Sequence, residues 1–316
     1  MHIKRCLVVI ILLFMSNCAR ANINNDLFVA ASLGRVLTIK DLISSGADVN
    51  AKEPKEGMTA LQIAAYLHHF ACVELLIDAG AEIDATDNHG TTPLISAASG
   101  GDVRCVKALV YAGAALESRD DKKWTPLIVA SSLGHAKCVE FLLNVGANVN
   151  AQNNQGVTAL MWAVIKGQTP CVKLLLEAKA DVNLKDNQEK TALFWGIRVG
   201  NLEIVKDLIA AKADINMVMK VEQQEVTPLI CAAALGNVDI TKELIQAGAK
   251  INLNDIRIVQ AIWKQNTKIS EDVKKEILTI LKDTEHNGAI DWGRIFRSER
   301  VWIAILFFLL PILRKR

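Results

Sequence analysis

Apolar positions along this chain come in short helical bursts separated by turns, and the alternation recurs every 33 residues. In the middle of the chain, Leu127, Val129 and Ala130 open a short apolar stretch that Gly134 breaks. Val139, Leu142 and Leu143 then recur at helical spacing, predicting a second helix. Thr125 suits an N-cap, where its hydroxyl accepts from a free helix N–H. Pro126 follows at the first helical position, where a missing N–H costs nothing. Gly146 closes the second helix where a left-handed residue is wanted, and a polar stretch leads on to the next threonine. That threonine returns as Thr59, Thr92, Thr125, Thr158 and Thr191, each 33 residues from the last, and then as Thr227, 36 residues on. A fixed period of this length marks a stacked repeat protein. One helix–turn–helix unit cannot bury its own apolar face, so the units must stack.

These residues resemble the ankyrin repeat. Thr-Pro-Leu appears at Thr92, Thr125 and Thr227, and Thr-Ala-Leu at Thr59, Thr158 and Thr191. Gly-Ala closes units at Gly46, Gly80, Gly113, Gly146 and Gly248. The resemblance spans about seven units within residues 22–252 and implies an all-α solenoid of helix–turn–helix units joined by loops or hairpins. The family histidine after Thr-Pro-Leu is missing. Gln62, Ile95, Ile128, Met161, Phe194 and Ile230 stand there, and apolar packing is expected to replace its hydrogen bonds. Lys179 and Lys212 replace the closing glycine in two units, and Met217 to Val226 is three residues longer than the equivalent loops. Residues 253–286 lose the signature but predict two more helices, Asp255 to Lys264 and a Ser270-capped Glu271 to Lys282, as a final capping unit.

The two ends differ from the repeats. Residues 1–21 read as a bacterial-type secretory signal: Lys4 and Arg5, a ten-residue apolar run from Cys6 to Met15, and a small-x-small cleavage site ending at Ala21. An uncleaved anchor and a lipidated Cys18 are the alternatives. Residues 287–300 form a linker, and Val301 to Leu313 is a thirteen-residue run without a charge, followed by the basic tail 314–316. At 1.5 Å per residue it reaches about 20 Å against a bilayer core of about 30 Å, so snorkelling arginines and local thinning would have to help it span. An interfacial helix or one docked on another protein is the alternative. A signal plus this stop-transfer pattern predicts a single-pass anchor with the repeats on the periplasmic side of the inner membrane.

Charge and chemistry narrow the function. Net charge is +2, with 36 basic and 34 acidic residues, so no basic field points to nucleic acid. Cys72, Cys105, Cys138 and Cys171 recur at 33, one per unit. Stacked helices lie about 8–10 Å apart, whereas a disulfide needs Cα atoms within about 7 Å, so they are expected to be buried free thiols, as is Cys231. His68-His69 reads as a turn feature rather than a metal site, and Trp162 and Trp195 as core volume. No catalytic constellation, cofactor site or metal site is apparent, and a monomer is expected.

What the resemblance implies is a protein-binding scaffold whose partner lies on the concave face of loop tips and first helices. Carried onto this chain, that face gives Tyr66, His89, Lys122, Trp124, Gln155, Lys190 and Arg198, with Trp124 as the anchor. The alternatives are a secreted effector that binds a host protein, and a periplasmic helper of a redox or haem enzyme working through His68, His69 or His89.

Overall fold

A computed structural model describes residues 23–221, 224–251, 253–265 and 269–287. Residues 1–21, where a secretory signal is expected, and the residues after 287, including the apolar run 301–313, lie outside the described residues. Among the described residues, no helix is long and apolar enough to cross a membrane. The chain divides into two compact units, Met1–Lys179 and Ala180–Arg316.

Among the described residues, the first unit holds five helix pairs: α1 (Ile23–Ser32) with α2 (Val36–Ser44), α3 (Ala60–Tyr66) with α4 (Phe70–Asp78), α5 (Pro93–Gly100) with α6 (Val103–Tyr111), α7 (Pro126–Leu133) with α8 (Ala136–Asn144), and α9 (Ala159–Ile165) with α10 (Thr169–Glu177). The described residues of the second unit hold three: α11 (Ala192–Val199) with α12 (Leu202–Ala210), α13 (Pro228–Ala234) with α14 (Val238–Gln246), and α15 (Leu253–Gln265) with α16 (Glu271–Asn287). Within each unit, first helices pack on the next first helices and second helices on the next second helices. The expected stacked-repeat architecture is therefore present, with one addition. The extra-long loop forms an antiparallel hairpin, β1 (Met219–Val221) with β2 (Gln224–Val226), which pairs Met219 with Val226.

Local chemistry explains the ends of the helices. The hydroxyls of Thr59, Thr92, Thr125, Thr158 and Thr227 each accept from the backbone N–H three residues on, at 3.2–3.4 Å. Thr191 occupies the same position without such a bond. Gly46, Gly80, Gly113, Gly146 and Gly248 close their helices with φ between 85° and 94°. Lys179 and Lys212 adopt the same left-handed backbone, at φ 61° and 66°, which strains each by roughly 1 kcal/mol. The polar loops are stitched across repeats: Asn50 Oδ1 accepts from Glu82 N, Glu117 Oε1 from Asn148 N, and Asn216 Oδ1 from Lys250 N, at 2.7–2.8 Å.

The core is the aliphatic seam between repeats. Leu61, Leu94, Leu127 and Leu160 on first helices, and Leu76, Leu109, Leu142 and Leu175 on second helices, are all 0–1 % exposed. The thiols of Cys72, Cys105, Cys138, Cys171 and Cys231 are buried and free. Two sequence expectations need correction. Gln62 does not merely pack: its side-chain oxygen accepts from Thr59 N at 2.8 Å and its amide donates to Thr91 O in the next repeat at 2.6 Å. It thus keeps a hydrogen-bonding role at the position where the other repeats carry apolar residues. Trp162 and Trp195 are only part-buried: Trp162 stacks on Trp124 of the preceding repeat, and Trp195 lies against Lys190 and Arg198.

A second clamp joins repeats at the turn between paired helices. His69 Nε2 lies 3.0 Å from Ser32 O, and His135 Nε2 lies 3.1 Å from Ser99 O, each one repeat back. The His135 ring covers Gly101, whose φ of 95° and crowded Cβ position both exclude a side chain. Burial lowers the His135 pKa below its ordinary value, and the hydrogen bond to Ser99 opposes that shift only partly. The folded state therefore binds this proton less readily than the unfolded chain. The clamp's contribution is full above the unfolded value of 6.5 and is lost as pH falls through the lowered folded value. The unfolding temperature of the parent is expected to drop as pH falls below the unfolded value of 6.5. His135→Gln, which copies the Gln168 that abuts Gly134 one repeat later, should flatten that dependence. An identical pH slope in the variant would refute this assignment.

Candidate partner-binding surface

Each loop tip is built by one acidic or amide side chain. Asp87 Oδ1 accepts from the N–H groups of His89 and Thr91, both at 2.8 Å, and Asp120 Oδ1 from those of Lys122 and Trp124 at 2.9 and 2.7 Å. Asn153 and Asp186 bind their own tips in the same way, at 2.8–3.0 Å. Sequence reasoning missed these four residues, although their 33-residue spacing was available to find them. Burial raises the Asp120 pKa, against the lowering effect of the two backbone donors.

In the first unit, the tips also bond to each other. Asn88 N donates to Glu56 O at 2.9 Å, Asp121 N to His89 O at 2.9 Å, and Asn154 N to Lys122 O at 3.0 Å. The exposed side chains of His89, Lys122 and Gln155 are thus carried on tips of fixed spacing. His89 Nε2 sits 3.2 Å from Glu56 Oε2.

Trp124 is not the freely exposed anchor the sequence suggests. It is part-buried, and its ring lies 4.8 Å from that of Trp162, tilted by 35°. Lys166 Nζ lies 5.7 Å from the centroid of the Trp162 ring. The structure therefore joins a predicted tip residue to a tryptophan that the sequence places in the core. Tyr66 ends α3 and is part-buried.

In the second unit, Lys190 departs from expectation. It is 6 % exposed, donates to Gln188 Oε1 at 2.7 Å, and lies 4.7 Å from the Trp195 ring. Burial lowers its pKa, and repulsion from Arg198 adds to the effect. Arg198 lies 5.0 Å from the same ring, and the Trp195 indole N–H donates to Asp186 Oδ2 at 3.0 Å. Cations beside an indole ring stabilise by cation–π attraction, so Lys190 and Arg198 are occupied with Trp195 rather than presented outward. Among the described residues, no group of three or more histidine, cysteine, aspartate or glutamate side chains is arranged to hold a metal ion.

Comparison with known proteins gives a consistent picture. The chain is 34 % identical over 74 residues to the Escherichia coli (strain K12) ankyrin repeat protein YahD, which covers 23 % of this chain and 36 % of that one. It is 44 % identical over 64 residues to the nuclear factor NF-kappa-B p105 subunit of Gallus gallus, covering 20 % of this chain and 6 % of that one. The chain thus spans only a minor part of these relatives. The crystal structure of the human ASB11 ankyrin repeat domain superposes with a TM-score of 0.64 and 29 % identity, covering 72 % of this chain and 99 % of that one. A family model described as ankyrin repeats (3 copies) matches residues 27–120, 97–186, 146–219 and 179–255. With the repeat grammar, the paired helices and these matches in agreement, the chain belongs to the ankyrin repeat family.

Proposed function

We propose that this ankyrin protein is exported, held at the membrane by its C-terminal segment, and grips a partner polypeptide on the loop tips and first helices of its first unit. Ankyrin repeats form a protein-interaction scaffold. The observation that carries the choice of face is the tip-to-tip ladder through Glu56, His89 and Lys122 carbonyls, which fixes the spacing of exposed side chains before any partner arrives. A surface ordered in advance loses less entropy on binding. Export and anchoring are supported by the sequence of residues 1–21 and 301–316. The haem-handling alternative gains no support, since the His69 ring is engaged with Ser32 and His89 faces Glu56.

The test uses the full chain in its own cells. Mature protein should begin at Asn22 and stay with membranes after alkaline extraction, whereas a chain ending at Arg300 should be released. Proteins captured by the parent should be lost with His89→Ala, Lys122→Ala and Gln155→Ala combined. An unchanged capture set would move the partner elsewhere, and cytoplasmic recovery of a full-length chain would end the export reading.

A further inference from the structure

At the loop tip of the repeat carrying Trp162 stands the amide Asn153, where the repeat carrying Trp195 has the carboxylate Asp186. In the latter, Asp186 Oδ1 holds the loop tip and Oδ2 accepts the Trp195 indole N–H at 3.0 Å. One period earlier, Asn153 Oδ1 holds the tip in the same way, but its amide Nδ2 is buried without a partner. Trp162 Nε1 is likewise buried without a partner. An acceptor serves the indole in one repeat; in the other, the amide supplies a second donor. Asn153 is 4 % exposed, so water does not readily satisfy it. Buried donors without acceptors are rare and call for an explanation.

What surrounds them is cationic and aromatic. The Trp124–Trp162 stack lies at the surface, with Lys166 against it. Lys122 and Lys123 precede Trp124 on the tip, both exposed, and among the described residues no carboxylate pairs with the ammonium of Lys122, Lys123 or Lys166. Lys123 also holds φ at 59°, where Gly57, Gly90 and Gly156 stand in other repeats. Strain kept in this way tends to sit at functional positions.

We propose that this patch recognises an acidic, extended segment of the partner polypeptide. A ligand carboxylate accepts from Asn153 Nδ2 and Trp162 Nε1, further acidic groups meet Lys122, Lys123 and Lys166, and an apolar side chain rests on the tryptophans. Both donors are closed off in the unbound protein, so docking moves a covering side chain. The Trp124 ring, stacked on Trp162, is the cover the geometry offers. This inference rests on the reading of the first unit's tip face as the partner surface.

The test selects short random displayed peptides against the full chain and titrates the binders by tryptophan fluorescence. Selected peptides should be rich in aspartate and glutamate and weaken as salt rises. Asn153→Asp supplies the acceptor that Asp186 supplies to Trp195. It should raise the unfolding temperature while weakening these peptides by roughly tenfold, and exposed Lys122→Glu should weaken them without affecting stability. Peptides that lose binding with Gln155→Arg but carry no acidic excess, or that ignore Asn153→Asp, would overturn the acidic assignment and leave the scaffold face standing. Peptides that bind but are untouched by Gln155→Arg, Lys122→Glu and Asn153→Asp would overturn both.

Discussion

Gly100→Ala is expected to lower stability by about 3 kcal/mol, the reverse of what the helix alone would give. Gly100 is the last residue of α5 and has ordinary helical backbone, so alanine should help it by roughly 1 kcal/mol. Its α-carbon, however, faces the end of α3 in the preceding repeat. A methyl group there would fall 2.5 Å from Tyr66 O and 3.1 Å from Ala65 O. Both are backbone atoms at the end of a helix and cannot rotate aside, so α3 and α5 must separate. The seam they share includes Leu61 and Leu94, each fully buried, and separation would loosen it. Urea unfolding of the full chain, followed by far-ultraviolet circular dichroism, measures the effect. A midpoint at or above that of the parent would show that the repeats stack with slack at this point.

The laddered thiols should be nearly inert towards maleimide in the folded protein. Burial raises the Cys138 and Cys105 pKa values from the ordinary 9.0 to about 12, and that of Cys171 to about 11; neighbouring Asp102 adds to the first two. The thiolate is the reactive form, so the raised pKa values slow modification strongly, and closed packing slows it further. Denaturant should then expose all five repeat thiols at once. Rapid labelling of Cys138 in the native protein would mean that the seam between α8 and its neighbours opens far more often than its packing implies. The same observation bears on the exported location proposed above. In an oxidising compartment, five thiols invite disulfide exchange. Burial within separate repeats protects them, and none pairs with another.

Much of the fold is written in local spacing. The 33-residue period, the capping threonines, the closing glycines and the helical stripes each act over a few residues, so they could be read without knowing any neighbour. Lys179 and Lys212 could even be recognised as strained, because their places in the period require a left-handed backbone whatever stands there. The cysteine ladder was legible for the same reason: identical positions in stacked modules are one module apart.

The binding surface was less legible, and the reason is physical. Whether Lys190 points outward or lies on Trp195 depends on the ring in the first half of the following helix and on Arg198 beside it, not on its place in the loop. Whether Trp162 fills the core or stacks on Trp124 depends on which rotamer the adjacent repeat leaves room for. Gly100 looks like any helix-terminal glycine until the approach of Tyr66 O is known. The sequence by itself determined the module, its ends and its buried seam, because those follow from periodicity and from backbone chemistry. Only the tertiary structure decided which exposed side chains are free, which are paired, and which buried donors lack acceptors, because each of those outcomes is settled by side chains that folding brings together, from the same repeat for Lys190 and from the neighbouring one for Trp124.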